Sequence, residues 1–290
     1  MAARDGDGWV ECALGHRHWG LYGAAGLLAV HHDDAGVPHV LMQERAGWSH
    51  HGGTWGLPGG ALDSHEDAVA GAFREAREEA GLDGDDLRIQ GVYVDDHGGW
   101  SFHTVIAASP RLLDALPAND ESVDLRWLTP GEIPARPLHP GFAGSWPVIG
   151  RALDPVLVVL DAANIVGARA EHGWWRDRAG AAAKLVSEVG ALGVSGVRVL
   201  PAGLPTLTRW FPRFTVVVEG AARDVAGVPG VPEVTVLSAP GSGDDAVVRA
   251  VRQAPEWEHV LVVTADRGLR ERVVALGAEV TGPRWLLSQL

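Results

Sequence analysis

Apolar and polar positions along the 290-residue chain divide it into two regions with different periodicity. In the first region, apolar runs predict strands at residues 23–31, 40–42, 92–94, 104–107 and 126–128. A single strong helical pattern lies among these runs, from about residue 65 to residue 80. This region is therefore expected to form a mixed sheet with one principal helix.

The second region alternates strand-like and helix-like segments. Strands are predicted at residues 156–160, 197–200, 214–218, 234–237, 259–263 and 279–281, and helices at 176–192, 244–253 and 267–276. Strands rich in Val and Leu that alternate with helices are typical of a mainly parallel sheet covered on both faces. Between the regions, residues 133–154 are rich in Pro and Gly and predict one short helix at 145–153. We therefore predict an α/β protein with two domains, at residues 18–150 and 155–290.

The distribution of charge supports two units of different character. Residues 1–154 hold 10 Arg and 23 acidic residues, whereas residues 155–290 hold 14 basic and 14 acidic residues. The acidic first region is unsuited to wrapping a nucleic-acid backbone, but it suits a small substrate that arrives with Mg²⁺. The lone Cys12 excludes an internal disulfide, a cysteine-based zinc ribbon and a structural metal bound through thiolates.

Membrane insertion and lysine chemistry are not expected. No apolar run approaches the length of a membrane helix, and the first residues carry acids where a signal peptide has its apolar core, which favours a cytoplasmic protein without a membrane partner. Lys184 is the only lysine, and no glycine-rich phosphate-binding motif precedes it. The chain pattern does not predict an oligomeric state.

The predicted helix of the first region carries three carboxylates on one face. Ser64 followed by Asp67 resembles a capping box, and Gly81 is a typical helix stop. Apolar positions form one stripe, whereas Glu75, Glu78 and Glu79 lie on a face about 120° away. An ion-paired, solvated helix is the alternative, with Arg74 and Glu78 at i,i+4 spacing. However, Glu75 and Glu79 repel each other unless a cation such as Mg²⁺ lies among their oxygens.

The wider spacing identifies a known motif. Gly60, Glu66 and the run from Arg74 to Leu82 resemble the Nudix box at every fixed position, and the preceding Gly59 resembles its entry loop. The resemblance covers roughly residues 19–150. It implies an α/β/α sandwich with a mixed sheet that hydrolyses a nucleoside diphosphate linkage with Mg²⁺ or Mn²⁺.

The resemblance also assigns roles to residues. It implies that Glu75, Glu78 and Glu79 ligate the metal with help from a carbonyl near Gly59, and that Arg74 and Glu66 orient the carboxylates. A glutamate of the box, or an acid outside it such as Glu121, would accept the proton from the attacking water. The alternative for Glu121 is a solvated loop side chain without a catalytic role.

The nucleotide itself is less clearly indicated. Aromatic and imidazole side chains form a candidate wall for a base, although each also suits core packing: Trp48, His97, Trp100, Phe102 and His103. The family's NADH-cleaving branch has a distinctive Pro-rich motif that this chain lacks. We therefore favour a nucleoside triphosphate, including an oxidised one, over ADP-ribose, a dinucleoside polyphosphate or NADH.

In the second region, polar residues follow the predicted strands. They are Asp161, Asn164, Asp244, Asp245 and Asp266. The carboxyl ends of parallel strands meet at one crevice, so these acids are candidates for binding Mg²⁺ or Mn²⁺. The alternative is that they are helix N-caps, since Asp and Asn are common at that position.

Residues 160–169, 241–251 and 262–273 together resemble the NYN branch of the PIN-like nucleases, which have a Rossmann-like fold. That resemblance implies metal-dependent RNA cleavage, with Asp161, Asp244, Asp245 and Asp266 as ligands and Asn164 as an orienting group. Aromatic and basic residues are candidates for stacking on single-stranded RNA or for packing: Trp174, Trp175, Arg176, Arg178, Arg209, Trp210 and Arg213.

Two alternatives remain open for the whole protein. In the first, the N-terminal half senses a nucleotide and regulates the nuclease without turnover, although the intact Glu75, Glu78 and Glu79 argue against this. In the second, the C-terminal half binds RNA or a partner without catalysis.

Overall fold

The computed structural model of the protein describes residues 5–169, 176–201 and 203–290. The chain forms two compact units, Met1–Leu153 with Leu204–Arg209, and Asp154–Gly203 with Trp210–Leu290. In the described ranges, no helix is both long and apolar enough to cross a lipid bilayer.

The first unit is built mainly from strands. These are β1 (Trp9–Glu11), β2 (Arg17–Trp19), β3 (Ala24–His32), β4 (Pro38–Arg45), β5 (Trp55–Gly56), β6 (Gly59–Ala61), β7 (Arg88–Asp96), β8 (Ser101–Ala108) and β9 (Ser122–Leu128). Its helices are α1 (Ala68–Ala80) and α2 (Pro140–Ile149). The predicted strands of this half are confirmed, whereas the predicted helix at 145–153 lies several residues too late.

The sheet of the first unit is mixed, as predicted. Strand β3 is parallel to β8 and antiparallel to both β4 and β6. Strand β7 pairs antiparallel with β8, and β9 pairs antiparallel with β4. Every residue of β3 from Ala24 to Val30 is buried, and α1 packs against this strand. The carboxylate helix is therefore held on the central strand of the sheet.

Helix α1 begins later than its capping pattern predicts. Asp67 is the N-cap, and its side chain accepts a hydrogen bond from Ala70 N–H. The predicted capping box at Ser64 is wrong, because the Ser64 hydroxyl donates to Asp5 Oδ2 at 2.6 Å instead. The predicted end is confirmed: Gly81 is left-handed (φ 66°), a conformation that glycine adopts without strain.

A segment from the second half of the sequence completes the first unit. Thr208 N–H donates to Val92 O at 3.0 Å, and Leu207 is 3% exposed. A Cβ at Gly91 would lie 2.5 Å from Leu207 Cδ1, so the glycine allows this close approach. The sequence pattern did not predict that residues 204–209 belong with the first unit.

The second unit contains a parallel sheet. Its strands are β10 (Val156–Asp161), β12 (Arg213–Val218), β13 (Val234–Ser238), β14 (His259–Val263) and β15 (Glu279–Thr281), whereas the short strand β11 (Arg209–Trp210) is part of the sheet that contains β7. Its helices are α3 (Ala162–Ala168), α4 (Arg178–Ser195), α5 (Gly243–Gln253), α6 (Arg267–Val274) and α7 (Pro283–Leu287). The sheet order is β13-β12-β10-β14-β15, and all four pairings are parallel.

This order places the first strand of the unit at the centre of the sheet. Residues Val156–Leu160 are buried throughout, so both faces of β10 are covered, as a parallel sheet requires. The predicted strand at 197–200 is wrong: Val197 makes only an isolated bridge to Trp210, and Val199 is 63% exposed. An apolar run without a partner strand does not form a strand.

Candidate functional site

The loop that enters β6 brings two glycines against the carboxylates of α1. Gly59 N–H donates to Glu79 Oε2 at 2.8 Å. A Cβ at Gly60 would lie 2.7 Å from Glu75 Oε1, so only glycine leaves room for that carboxylate. Glu75 is 8% exposed and Glu79 is 1% exposed. Glu75 and Glu79 are therefore enclosed by the entry loop, whereas Glu78 is partly exposed.

Arg74 connects the acids of the motif. Its guanidinium forms a two-bond pair with Glu66, at 2.7 and 2.9 Å, and also donates to Ala61 O. The same group lies 2.6 Å from Glu75 Oε1 and 3.4 Å from Glu78 Oε2. Arg74 thus holds two of the candidate ligands, and Glu66 holds Arg74, in the arrangement that the resemblance implies.

Burial makes Glu79 unusual among the acids of this half. Its removal from water, together with the nearby charge of Glu75, raises the pKa of Glu79 to about 8, although the Gly59 N–H opposes the shift. Arg74 has the opposite effect on Glu66, because the ion pair lowers the pKa of the Glu66 carboxyl. The carboxyl of Glu66 is thus held ionised in a structural ion pair, whereas the carboxyl of Glu79 can exchange a proton near neutral pH.

The donor set fits a hard divalent cation. Two buried carboxylates at i,i+4 spacing are costly unless a positive charge compensates both. The ligands that Mg²⁺ and Mn²⁺ prefer are oxygens, which Glu75, Glu78 and Glu79 supply. The space kept open at Gly60 lies directly against Glu75.

A cavity of about 510 Å³ adjoins this carboxylate cluster through Gly59. Its lining combines aromatic, imidazole and guanidinium groups, including Arg17, Arg45, Trp100, Phe102, Phe142 and His139. The size is in the range of small-molecule pockets. A cavity with aromatic faces and arginines next to carboxylates can accept a planar base and a polyphosphate together.

The predicted substrate-binding residues divide into two groups. His97 and Trp100 line the cavity, as does Phe102. His103 lies one residue from Phe102 and Thr104, which both line the cavity, and alternate residues of a strand face opposite sides. His103 instead pairs with Ser101 Oγ at 2.9 Å, and Trp48 is 70% exposed outside the cavity lining.

Several residues that line the cavity were not predicted from the sequence, among them His139 and Arg45. Burial, with Arg45 and two histidines nearby, lowers the pKa of His139 to about 4, so this imidazole is neutral at pH 7. His139 lies in the Pro- and Gly-rich stretch that has no periodicity, which gave no signal for it. Glu121, the predicted outside acid, is exposed, and its charge contributes to raising the pKa of Glu79.

In the second unit, Asp161 ends β10 at the centre of the sheet. Its Oδ1 accepts from Asn164 N–H at 3.1 Å, so Asp161 is the N-cap of α3. Its Oδ2 accepts from the Thr264 hydroxyl at 2.8 Å, and Asn164 Oδ1 accepts from Ala265 N–H at 2.8 Å. These bonds bring residues a hundred positions apart to the same edge of the sheet.

Other acids approach the same edge. Asp266 caps α6 by accepting from Leu269 N–H at 2.7 Å. Burial and the charges of Asp266 and Glu219 raise the pKa of Asp244, and burial with Asp244 and Glu219 raises the pKa of Asp161. Asp161, Asp244, Asp266 and Glu219 therefore form one electrostatic group. Asp245 is exposed and pairs with Arg272 at 2.6 Å.

Glu219 was missed although the signal was present. It directly follows β12, as Asp161 ends β10, and its carboxylate accepts from Gly243 N–H at 2.6 Å at the start of α5. The positional argument used for the other acids applies equally to Glu219. The N-cap alternative is also confirmed for Asp161 and Asp266, so capping and clustering occur together.

The predicted RNA-stacking residues are only partly placed. Trp174 and Trp175 lie outside the described residues. Trp210 is 2% exposed in the core, so its predicted stacking role is wrong. Arg213 is exposed and makes a bidentate pair with the buried Glu258. Arg176, Arg178 and Arg209 retain at least partial exposure.

A helix whose glutamates are held by a glycine loop beside an apolar cavity suits a hydrolase of phosphate compounds. The profile of the NUDIX domain matches residues 23–149. A protein named "Putative 8-oxo-dGTP diphosphatase 3" from Mycobacterium tuberculosis is 51% identical over 148 residues, which are 49% of this chain and 68% of that protein. The chain belongs to the Nudix family through its first half.

Two further relatives align with the same half. A "Nucleoside triphosphate pyrophosphatase/Nudix hydrolase fusion protein" from Bifidobacterium longum is 41% identical over 153 residues, 51% of this chain and 32% of that protein. The crystal structure of the Nudix hydrolase RenU from M. smegmatis is 45% identical, with a TM-score of 0.48, and covers 50% of this chain and 93% of that one.

Proposed function

We propose that the first unit hydrolyses a phosphoanhydride bond of a nucleotide, with Mg²⁺ or Mn²⁺ held by Glu75, Glu78 and Glu79. The observation that carries this proposal is the position of Gly59, which both lines the cavity and donates to Glu79. A nucleotide in the cavity would present its phosphates to the carboxylates. The proposed hydrolase domain comprises residues 18–150 together with residues 204–209 of the first unit.

The residues around the proposed metal site have different proposed roles in hydrolysis. A bound divalent ion polarises the phosphoryl oxygens and lowers the pKa of the attacking water. Arg74 fixes Glu75 and Glu78, and Glu66 fixes Arg74. Without the ion, the pKa of Glu79 is raised to about 8, and a bound cation would favour its ionised form, which could then accept a proton; the exposed Glu121 is the second candidate for that role.

A nucleoside triphosphate, including an oxidised one, is the favoured substrate. Arg17 and Arg45 in the lining suit phosphate oxygens, and Trp100, Phe102 and Phe142 suit a base. The relative named as an 8-oxo-dGTP diphosphatase supports the same choice. ADP-ribose and dinucleoside polyphosphates rank below it, and NADH ranks last.

A screen of nucleotides with the full chain and Mg²⁺ tests this proposal. We expect release of pyrophosphate from one or more nucleoside triphosphates, with less turnover of ADP-ribose, dinucleoside tetraphosphates and NADH. A preference for ADP-ribose would retain the reaction class and reject the substrate. Absence of turnover on all of these nucleotides would favour the alternative in which the first unit only senses a nucleotide.

For the second unit we propose a Rossmann-like PIN domain of the NYN type, covering residues 155–290 apart from 204–209, that cuts single-stranded RNA with Mn²⁺ or Mg²⁺. The supporting observation is that Asp161, Asp244, Asp266 and Glu219 meet at the carboxyl edge of the parallel sheet, at the strand where the order reverses. Asp161, Asp244 and Asp266, with Glu219 added, would hold the ion. Asn164 would orient Ala265 and the start of the loop that leads to Asp266.

Oxygen ligands in such a group fit a hard divalent ion, which would activate water for attack on a phosphodiester. Asp245 is the weakest of the predicted ligands because Arg272 already neutralises it. A non-catalytic RNA-binding or interaction domain is the alternative. Incubating labelled single-stranded RNA with the full chain and Mn²⁺ separates the two: cleavage supports the nuclease, and binding without cleavage supports the alternative.

A further inference from the structure

Four side chains of the kinds that bind transition metals meet at one end of the first unit. They are Cys12, His16, His18 and His97, and one ligand atom from each lies within 4.8 Å of all the others. Three of them belong to the β1–β2 hairpin, whereas His97 follows β7 some 80 residues later. The carboxylates of α1 are not part of this group.

Backbone hydrogen bonds hold the two segments in register. Cys12 N–H donates to His16 O at 2.9 Å, and Gly15 N–H donates to Cys12 O at 2.9 Å, which closes the turn between β1 and β2. Ala13 N–H donates to Gly98 O at 2.8 Å and thereby joins this turn to the one that carries His97. These backbone hydrogen bonds therefore hold the four side chains close to one another.

Two ring nitrogens of the cluster are buried without a hydrogen-bond partner among the described residues: His18 Nε2 and His97 Nδ1. The other ring nitrogen of His97 lies 3.2 Å from Asp95 Oδ2. A histidine that donates one N–H to a carboxylate presents the lone pair of its second nitrogen, which is the usual arrangement around a metal-bound histidine. Buried polar atoms without partners are rare, so these two nitrogens indicate a missing ligand.

The donor set selects the ion. One thiolate with three imidazoles suits Zn²⁺, which takes four nitrogen and sulfur ligands in a tetrahedron, whereas Mg²⁺ prefers oxygens. Metal bonds of about 2.0 to 2.3 Å place tetrahedral donors roughly 3.3 to 3.8 Å apart, so the side chains need to close by only about 1 Å. Four protein ligands fill the tetrahedron and leave no position for water, which is typical of a structural site.

We propose that Cys12, His16, His18 and His97 bind one Zn²⁺ that fastens the β1–β2 hairpin to the turn after β7. This proposal overturns the expectation that a lone cysteine excludes a structural metal bound through a thiolate. One cysteine is sufficient when three histidines complete the shell.

The zinc site would also shape the wall of the substrate cavity. The rings of His18 and Trp100 stack with their centroids 3.9 Å apart and their planes 8° from parallel, and both side chains line the cavity. Cys12, Trp100 and Ala24 otherwise form only a small apolar cluster. Zinc would therefore stabilise a part of the unit that has little core of its own.

The test uses the full chain without a histidine tag. Metal content is measured by mass spectrometry, and the zinc-free protein is titrated with Co²⁺ while the absorption spectrum is recorded. We expect about one Zn²⁺ per chain, a thiolate-to-cobalt charge-transfer band, and intense visible bands typical of a tetrahedral site. Zinc should also raise the midpoint of thermal unfolding of the zinc-free protein.

Variants identify the ligands. Cys12→Ser should abolish the charge-transfer band, and His97→Gln should weaken Co²⁺ binding by at least ~10-fold. His39→Gln is the matched control, because His39 Nε2 also lies 3.2 Å from an aspartate, Asp33, but outside the cluster. A parent protein that shows no charge-transfer band on titration would overturn the proposal without reference to any variant. Retention of the band in Cys12→Ser would overturn it as well.

Discussion

The acids of the two units are satisfied in different ways. Glu79 receives one backbone N–H and is otherwise buried beside Glu75, so its carboxyl has too few partners for its charge. Asp161 uses both oxygens in hydrogen bonds, and Asp266 caps α6. The charge of Glu79 therefore lacks compensation that a cation can supply, whereas Asp161 and Asp266 already have structural roles. Substituting an amide for the carboxylate should therefore have different consequences in the two units.

The largest difference between the effect on stability and the effect on RNA cleavage is expected for Asp266→Asn. Asparagine caps helices as well as aspartate, so Asp266→Asn should leave the free energy of unfolding nearly unchanged. If the second unit is a nuclease, loss of the ligand charge should lower RNA cleavage by about 100-fold. The rate of cleavage and a urea titration measure the two effects. Parent-like cleavage by Asp266→Asn would show that this residue only caps.

Asp161→Asn serves as the comparison, because it should not be neutral for stability. The Thr264 hydroxyl, which donates to Asp161 Oδ2 in the parent, would face an amide N–H₂ that cannot accept a hydrogen bond. Thr264 Oγ1 already accepts from Asp266 N–H. We expect it to cost about 1 kcal/mol of stability, unlike Asp266→Asn.

In the first unit, Glu79→Gln should stabilise the fold at high pH. The folded-state pKa of Glu79, about 8, lies above its ordinary value of 4.5, so folding favours the protonated form. The stability that this carboxyl contributes is complete below about pH 4.5 and is lost as pH rises towards 8. The uncharged glutamine should avoid that loss, by roughly 4 kcal/mol at pH 8 and by about 1 kcal/mol at pH 5.

Urea titrations of the parent and Glu79→Gln at the two pH values, in buffer containing a chelator, measure this difference. Glu132→Gln, at an exposed position, is the control. The Glu132 carboxylate accepts from Thr129 N–H and Oγ1, which lowers its pKa, so any change in stability should be the same at both pH values. An equal effect of Glu79→Gln at both pH values would contradict the burial of an ionisable Glu79.

A smaller effect is expected at the glycine that makes room for Glu75. In Gly60→Ala the new methyl group would displace the Glu75 carboxylate, which is the movable end of a side chain, so turnover should fall by about 10-fold with little loss of stability. Gly131→Ala, where nothing lies within 4 Å of the added Cβ, is the matched control. Steady-state rates and thermal midpoints of both variants test the prediction. Loss of stability without loss of turnover in Gly60→Ala would contradict it.

The same contrast explains what could be predicted from the sequence. Glu75, Glu78 and Glu79 lie within one helix, so helical geometry alone places them together. Their burial could not be predicted, because it comes from the loop at Gly59 and Gly60 folding over the helix. The strands of the second unit were largely predictable, yet Glu219 was overlooked although it follows a strand as Asp161 does.

Contacts between distant segments account for most of the remaining errors. Cys12 and His97 are brought together by pairing of turns that carry no periodic signal. Residues 204–209 join the first unit although they follow the predicted boundary by fifty positions. His103 was assigned to the cavity because the alternation of side chains along β8 was not applied to it.

The central claim is that the carboxylates of α1 drive hydrolysis of a nucleotide phosphoanhydride. The most direct test compares steady-state turnover of the best nucleoside triphosphate by the parent, Glu79→Gln and the control Glu132→Gln, with saturating Mg²⁺. We predict that Glu79→Gln lowers kcat by at least ~100-fold while its thermal midpoint is no lower than that of the parent, and that Glu132→Gln is unchanged. Turnover by Glu79→Gln within about threefold of the parent would contradict the claim.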